Sequence, residues 1–431
     1  MIARNAILSL LDSIALIRIK HRSACLLSHE ASVCHRLVFH ADARTARPEH
    51  AIGGCLWFDK GRGVATISRA LIERLTDMRV ISLIALGLSV FAPPIVAQAQ
   101  ADSNTGATAK TSGANTRVAC IFDPTGKAGP LYDLFQPYVA QVADWGYKVE
   151  THVYADESVA AGDFRAGQCD MAILTGLRTI RFVRFAGSLD MVGGVKSYAE
   201  EKEAIDAISA PKAAKYMQQD NYEVAGVTPL GRSYLLARDR DDLTDLDHLA
   251  GKRVAVLNYD KQAVTLADQA GLSPVPASTT SFGPMFTSGS VSIAYAPALA
   301  FKPLELYEGV NKNGGIAQFP LGMLSNQILI RKDRFVDDFG QKSRAWVANN
   351  LFEPAAQQAR SAENAVPERY WVTISDEQQS AYNRLFRSVR EQLWDDGWYN
   401  HRMQRLLKKI RCDADPASAE CSLDSEGGAI D

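Results

Sequence analysis

Histidine is scarce in the part of this chain where chemistry would need it. Of eight histidines, only His152, His248 and His401 lie beyond residue 101. None sits in an H-E-x-x-H helix or beside a G-x-S-x-G turn, so zinc-peptidase and α/β-hydrolase chemistry lack their residues. Gly126-Lys127 is followed by Ala128 and lacks the rest of a phosphate-binding loop. Cysteine is sparse as well: seven in 431 residues, with no C-x-x-C pair and no zinc-ligand spacing. No pair of carboxylates is marked out by its neighbours. These gaps lead us to expect no enzyme, no cofactor and no metal. The many spanning helices of a pump and the long coiled-coil pairs of a periplasmic adaptor are missing too.

What is present is an ordinary globular composition, 47% hydrophobic and long enough for two or more domains. The net charge of -2 conceals an asymmetry. Residues 1 to 77 carry 11 Lys+Arg against 7 Asp+Glu, Arg79 is the only charge from 78 to 101, and the remaining 35 basic and 42 acidic residues give -7. A mildly acidic body argues against nucleic acid as a partner.

Met78 to Ala101 reads as an export signal. Met78-Arg79 is a short basic start, Val80 to Val96 an almost unbroken apolar run, and small residues offer cleavage near Gln100 or Asp102. Pro93-Pro94 and the short length disfavour a spanning helix, with a signal anchor as the other reading. Residues 1 to 77 are read as a misassigned upstream extension, because a signal does not normally start at residue 78, and are set aside for fold reasoning. The expected location is the periplasm, with the mature protein not membrane-spanning. Four cysteines remain in the exported part. Cys412 and Cys421 flank a turn-rich tail and suit a local disulfide in an oxidising compartment. Cys120 lies in one predicted strand and Cys169 begins another; they are either bridged or buried as thiols. The tail after Cys421 reads as disordered.

Residues 102 to 116 have the composition of a flexible leader. Arg117 to Asp123 then predicts a buried strand, followed by a loop and an amphipathic helix stopped by Gly146. Tyr147 to Tyr154 predicts a second strand, Glu157 to Ala166 a helix, and Cys169 to Leu174 a third strand. This βαβαβ order means a parallel sheet in a doubly wound lobe. From Tyr198 to Asp220 the chain reads as helical. Val224 to Val227 and Tyr234 to Leu236 read as two further strands on either side of Arg232. Arg253 to Leu257, a helix to Ala270, an edge strand at Val275 to Ala277 and the step Phe286 to Tyr295 repeat the first lobe's logic. Ala317 to Ile330 is a long strand crossing back, followed by helices over Asp333 to Phe352 and Ser375 to about Ile410, the latter interrupted at Asp396-Gly397-Trp398.

The run Gly231, Arg232, Asp245, Leu246, Leu249, Gly251, Lys252 and the step Ala166-Gly167-Gln168-Cys169-Asp170-Met171-Ala172 resemble periplasmic solute-binding proteins of the tripartite ATP-independent (TRAP) type, over roughly Arg117 to Ile410. Within that type the chain looks closest to the divergent AdeT-like group, often labelled as efflux components. The resemblance implies an α/β fold of two doubly wound lobes joined by a hinge, a type II-like periplasmic binding protein. Lobe 1 is expected at 117 to 228 with part of 318 to 410, lobe 2 and the hinge at 229 to 317, and the tail at 411 to 431. The implied function is capture of a small anionic or polar ligand between the lobes and its delivery to membrane transporter subunits. An accessory protein of an efflux system, acting by protein contact, is the alternative.

By the same resemblance Arg232 stands where the family places an arginine beside the ligand's carboxylate, and a guanidinium suits that task because it donates two hydrogen bonds at once. The family's other arginine position falls at Ala255, and Ser292 stands where many members carry an acid. Strand ends supply the remaining candidates: Asp123, Thr125, Thr175, Arg178, Asn258, Tyr259, Tyr295, Ser325 and Asn326. Each also suits a helix cap or turn. Phe122, Tyr132, Phe282 and Phe286 join Tyr259 and Tyr295 as aromatic candidates for stacking or core packing.

Overall fold

Two long segments, Tyr222–Ala237 and Gly315–Arg331, are buried along nearly their whole length on both faces, which commits them to the middle of a sheet. A computed structural model describes residues 115–429 of the chain. The upstream extension, the export segment and nearly all of the leader lie outside the described residues. The strands are β1 (Thr116–Phe122), β2 (Lys148–Tyr154), β3 (Met171–Thr175), β4 (Gln218–Gln219), β5 (Tyr222–Ala237), β6 (Arg253–Leu257), β7 (Ser273–Ala277), β8 (Ile293–Pro297), β9 (Gly315–Arg331) and β10 (Trp371–Val372). They form a ten-stranded sheet ordered β2-β1-β3-β9-β5-β8-β6-β7, with β10 on β9 and β4 on β5.

The parallel trio β2-β1-β3 joins one end of β9 through Met171↔Ile330 to Thr175↔Asn326. At the other end β8, β6 and β7 attach to β5 through Ser233↔Pro297 to Ala237↔Ile293. Each end therefore carries its own lobe, and β5 and β9 are common to both. The expectation of two separate strands around Arg232 is corrected: β5 is one strand of 16 residues. It is not straight. Its register against β9 slips at four places, one of them between Pro229 and Gly231. Such bulges bend a strand and increase its twist, which turns one lobe relative to the other. Gly231 takes φ 108°, and a Cβ there would stand 2.9 Å from that of Ala359, so only glycine fits the bend.

Local signals set most helix ends. Asp156 accepts from the Ser158 amide at 2.7 Å to start Glu157–Ala166, and Gly167 closes it in the left-handed region at φ 80°. Phe135, Tyr138 and Phe339 are fully buried against the outer face of β1 and β3, each worth roughly 1.5–3 kcal/mol of burial. The segment after β9 departs from expectation. It forms two helices, Phe339–Asn350 and Phe352–Asn364, and the second had not been foreseen; its Ala355, Ala356 and Ala359 pack flat on the sheet. The later helix divides into Asp376–Asp395 and His401–Ala414, as the Asp396-Gly397-Trp398 interruption implies.

The tail is folded as far as Ala429, the last described residue, against the expectation of disorder. Glu426 is 3% exposed and bonds Arg390 at 2.7 Å and Arg411 at 3.1 Å, while Lys408 donates to the carbonyls of Leu423, Ser425 and Gly428. Composition gave no sign of this, because the partners lie on the two preceding helices. Cys412 and Cys421 are joined, as are Cys120 and Cys169 with Cα atoms 5.9 Å apart. No helix among the described residues is long and apolar enough to cross a membrane.

Candidate functional site between the lobes

In open α/β sheets the carboxyl ends of parallel strands face a crevice that takes ligands. Here the ends of β1, β3 and β6 converge where β5 and β9 pass between the lobes. They border a cavity of about 120 Å³. Its walls are mostly apolar: Phe122, Leu131 and Leu177 from one lobe, Leu257, Phe282 and Leu299 from the other, with Leu230 and Leu324 from the shared strands. Thr175, Tyr259, Thr279 and Tyr295 contribute polar side chains together with Asp123.

A buried knot closes one side. Glu157, wholly inaccessible, accepts from the Thr175 amide at 2.7 Å, from the Thr175 hydroxyl at 2.8 Å and from the Tyr259 hydroxyl across the lobes. Arg178 lies with its guanidinium 3.4 Å from the centre of the Tyr259 ring, 3.7 Å from Glu157, and donates to Ser158 at 2.9 Å. Burial and then the Glu157 charge hold the proton on Tyr259 well above the usual phenol range. Arg181 reinforces the junction by donating to the Tyr259 carbonyl at 3.3 Å.

Two more carboxylates stand nearby. Asp190 accepts from the Ser325 amide at 2.9 Å and hydroxyl at 2.5 Å, and Asp260 from the Ala263 amide at 3.0 Å and the Tyr295 hydroxyl at 2.8 Å. Burial pushes Asp190 up to about 7, against the lowering bonds from Ser325, and pushes Asp260 up to about 6.

Comparison with known proteins agrees with this architecture. The family model described as solute-binding protein AdeT 1/2 matches residues 144–426. The probable solute-binding protein AdeT1 of Acinetobacter baumannii is 39% identical over 306 residues, 71% of this chain and 100% of that protein. This chain belongs to the AdeT 1/2 solute-binding family. AdeT2 of the same organism is 24% identical over 237 residues, 55% of this chain and 99% of its own. Among solved structures, a TRAP periplasmic solute-binding protein of Haemophilus influenzae with bound L-gulonate aligns with TM-score 0.58 at 14% identity, covering 69% of this chain and 98% of that one. Another, from Desulfovibrio desulfuricans with bound sn-glycerol-3-phosphate, also gives 0.58 at 14%, covering 70% and 97%. The fold is the two-lobed TRAP fold, and the protein is a solute-binding protein.

Against that family the expected site residues divide. Thr175, Tyr259 and Tyr295 line the cavity, with Phe122 and Phe282 among the aromatics, while Arg178 lies behind Tyr259. Asp123 lines it too, but its two oxygens already accept from the Thr125 amide and hydroxyl and from the amides of Leu131 and Tyr132, so Asp123 and Thr125 shape the loop. Asn258 is exposed and outside the cavity. Ser325 binds Asp190; Asn326 is buried between β3 and β5, and neither lines the cavity. Tyr132 and Phe286 also lie off it, Phe286 in the core of lobe 2.

The structure places Arg232 off the cavity. The strand face that carries it points away from the cavity, toward helix Phe352–Asn364, where Glu363 accepts its bond at 2.8 Å and Tyr198 packs under it at 4.8 Å. The bulge beside Gly231 sets this side, and the helix that supplies Glu363 is the one that sequence periodicity did not reveal. Glu157, Asp190 and Asp260 had not been singled out. Glu157 and Asp260 look like ordinary helix-start acids, but Asp190 is the single charge between Phe185 and Val195, and that isolation was a usable signal.

Proposed function

We propose that this protein works in the periplasm, takes a small ligand with a polar end into the cavity between its lobes, and presents the closed form to membrane transporter subunits. The observation that carries the reading is the largely apolar interlobe cavity, bordered by the Glu157–Tyr259 bond that ties one lobe to the other. Lobe 1 would comprise 117 to 228 with part of 318 to 410, and lobe 2 with the hinge 229 to 317; the register slip at Pro229 supports that division. Two disulfides favour an oxidising compartment. A binding role without catalysis is favoured because the carboxyl groups beside the larger cavity are already engaged, Asp123 in its loop and Glu157 in the interlobe knot.

The test is a thermal-shift screen of the purified protein against organic acids, sugar acids, amino acids, polyamines and aminoglycosides, together with fractionation of the producing cells. A ligand at 100 times its dissociation constant adds about 2.7 kcal/mol to stability. A hit that Leu299→Trp abolishes by filling the cavity supports the reading. A well-folded protein that shifts with nothing, or a hit indifferent to Leu299→Trp, counts against it.

A further inference from the structure

Behind Leu177, Tyr295 and Leu324, which line both, the interlobe cavity has a second chamber of about 50 Å³. That is more room than one water needs. Apolar side chains form most of its wall, yet Asp190 from lobe 1 and Asp260 from lobe 2 both face it, 3% and 4% exposed. The hydrogen bonds they accept come from amides and hydroxyls, and neither is ion-paired with a lysine or arginine among the described residues. A third group is left open. Ser233, 3% exposed and lining the same chamber, has a hydroxyl with no hydrogen-bond partner.

Buried polar groups in native proteins are nearly always satisfied, and buried carboxylates are paired. Two buried acidic side chains without ion pairs and one unpartnered hydroxyl around a small chamber suit a cation with several donors. We infer that the chamber is an ammonium subsite, in which Asp190, Asp260 and Ser233 accept the three N–H bonds of a primary amine whose apolar body fills the larger cavity. This rests on the interlobe cavity being the ligand site.

Three features favour an amine over other occupants. An ammonium offers three donors and no acceptor, matching three acceptors. No lysine or arginine lines either chamber, so an anion placed there meets two acidic side chains and no cation to offset its charge. A cation held between Asp190 and Asp260 also ties one lobe to the other, so binding and closure reinforce each other.

Isothermal titration of the protein with n-hexylamine, 1-hexanol and hexanoate tests the subsite. We expect hexylamine to bind at least tenfold more tightly than hexanol, and hexanoate more weakly than either. Asp190→Asn and Asp260→Asn should each bring the amine-to-alcohol ratio near one. Ser233→Ala, which leaves both carboxylates and their donors in place, should lower the ratio several-fold and decides the matter if an Asn variant does not fold. Equal binding of the three probes, a preference for hexanoate, or an amine preference untouched by these variants overturns the ammonium subsite while leaving the interlobe site standing. No binding of any probe overturns the subsite as well, and the interlobe reading then depends on the ligand screen and Leu299→Trp.

Discussion

Tyr259 of one lobe donates its hydroxyl to Glu157 of the other, while Arg178 stacks on the ring of the same tyrosine. One side chain thus donates a charge-assisted hydrogen bond and accepts a cation–π contact across the cleft. Hydrogen bonds to charged groups contribute about 1.5–3 kcal/mol, and every 1.4 kcal/mol is about tenfold in affinity. Tyr259→Phe keeps the ring but removes the bond. We expect ligand affinity to fall about tenfold or more by calorimetry, and small-angle scattering to show a more open protein. Unchanged affinity would mean that the bond does not couple to closure.

Arg232→Ala should cost stability and spare binding. Its guanidinium pairs with Glu363, which also accepts from the Tyr198 hydroxyl at 3.0 Å, and none of the three lines the cavity. With the arginine side chain 28% exposed, the loss should be on the order of 1–2 kcal/mol, less than for a fully buried pair. The melting temperature should drop while the dissociation constant stays within about twofold. A large loss of affinity at constant melting temperature would restore Arg232 to the site.

The contrast between Arg232 and Arg178 shows where sequence reading reaches its limit. The succession of strands along the chain, the long β9 and the helix ends at Asp156 and Gly167 follow from periodicity and turn chemistry, which are local, while the two-lobed plan is what the family resemblance implies. Which face of β5 an arginine occupies depends on bulges at Pro229, Ser233 and Tyr234, and their count is set by pairing with β9 nearly a hundred residues away. Glu363 and Glu426 became partners through helices whose packing no local pattern encodes. The strand-end rule therefore brought Thr175, Tyr259 and Tyr295 to the cavity, whereas the pattern that pointed to Arg232 could not tell which face it would take.

The two disulfides should differ in weight. Cys120–Cys169 spans 49 residues and Cys412–Cys421 spans 9. Loop-closure entropy assigns about 4 kcal/mol to the first and about 2.5 kcal/mol to the second. Cys120→Ser with Cys169→Ser should lower the denaturation midpoint more than the tail pair's double serine variant. Equal midpoints would show that native-state packing, not chain entropy, dominates. Because Cys120 and Cys169 are 0% and 1% exposed, the native protein should also resist reduction there.

Stability of the ligand-free protein should fall as pH rises from 5 to 8. Burial raises Asp190 to about 7 and Asp260 to about 6, above their ordinary carboxylate values. A carboxyl whose folded pKa is raised holds its proton more tightly when folded. Its contribution is therefore complete below about pH 4 and is lost as pH climbs through 6 and 7, on the order of a few kcal/mol for the pair. Glu201, buried with neither oxygen partnered, is raised in the same sense, first by burial and then by Asp190. The tail has the opposite sign. Burial opposes ionisation of Glu420, but its bond from Arg411 and the arginine charges prevail and hold it at about 2, so that contribution is lost progressively as pH falls from the ordinary carboxylate range down through that value. The two sets together place the stability maximum at about pH 4–5. Denaturation midpoints of the wild type and Asp190→Asn measured from pH 3 to 8 check this. The variant should show a shallower decline above pH 5, and parallel curves would remove Asp190 as its source.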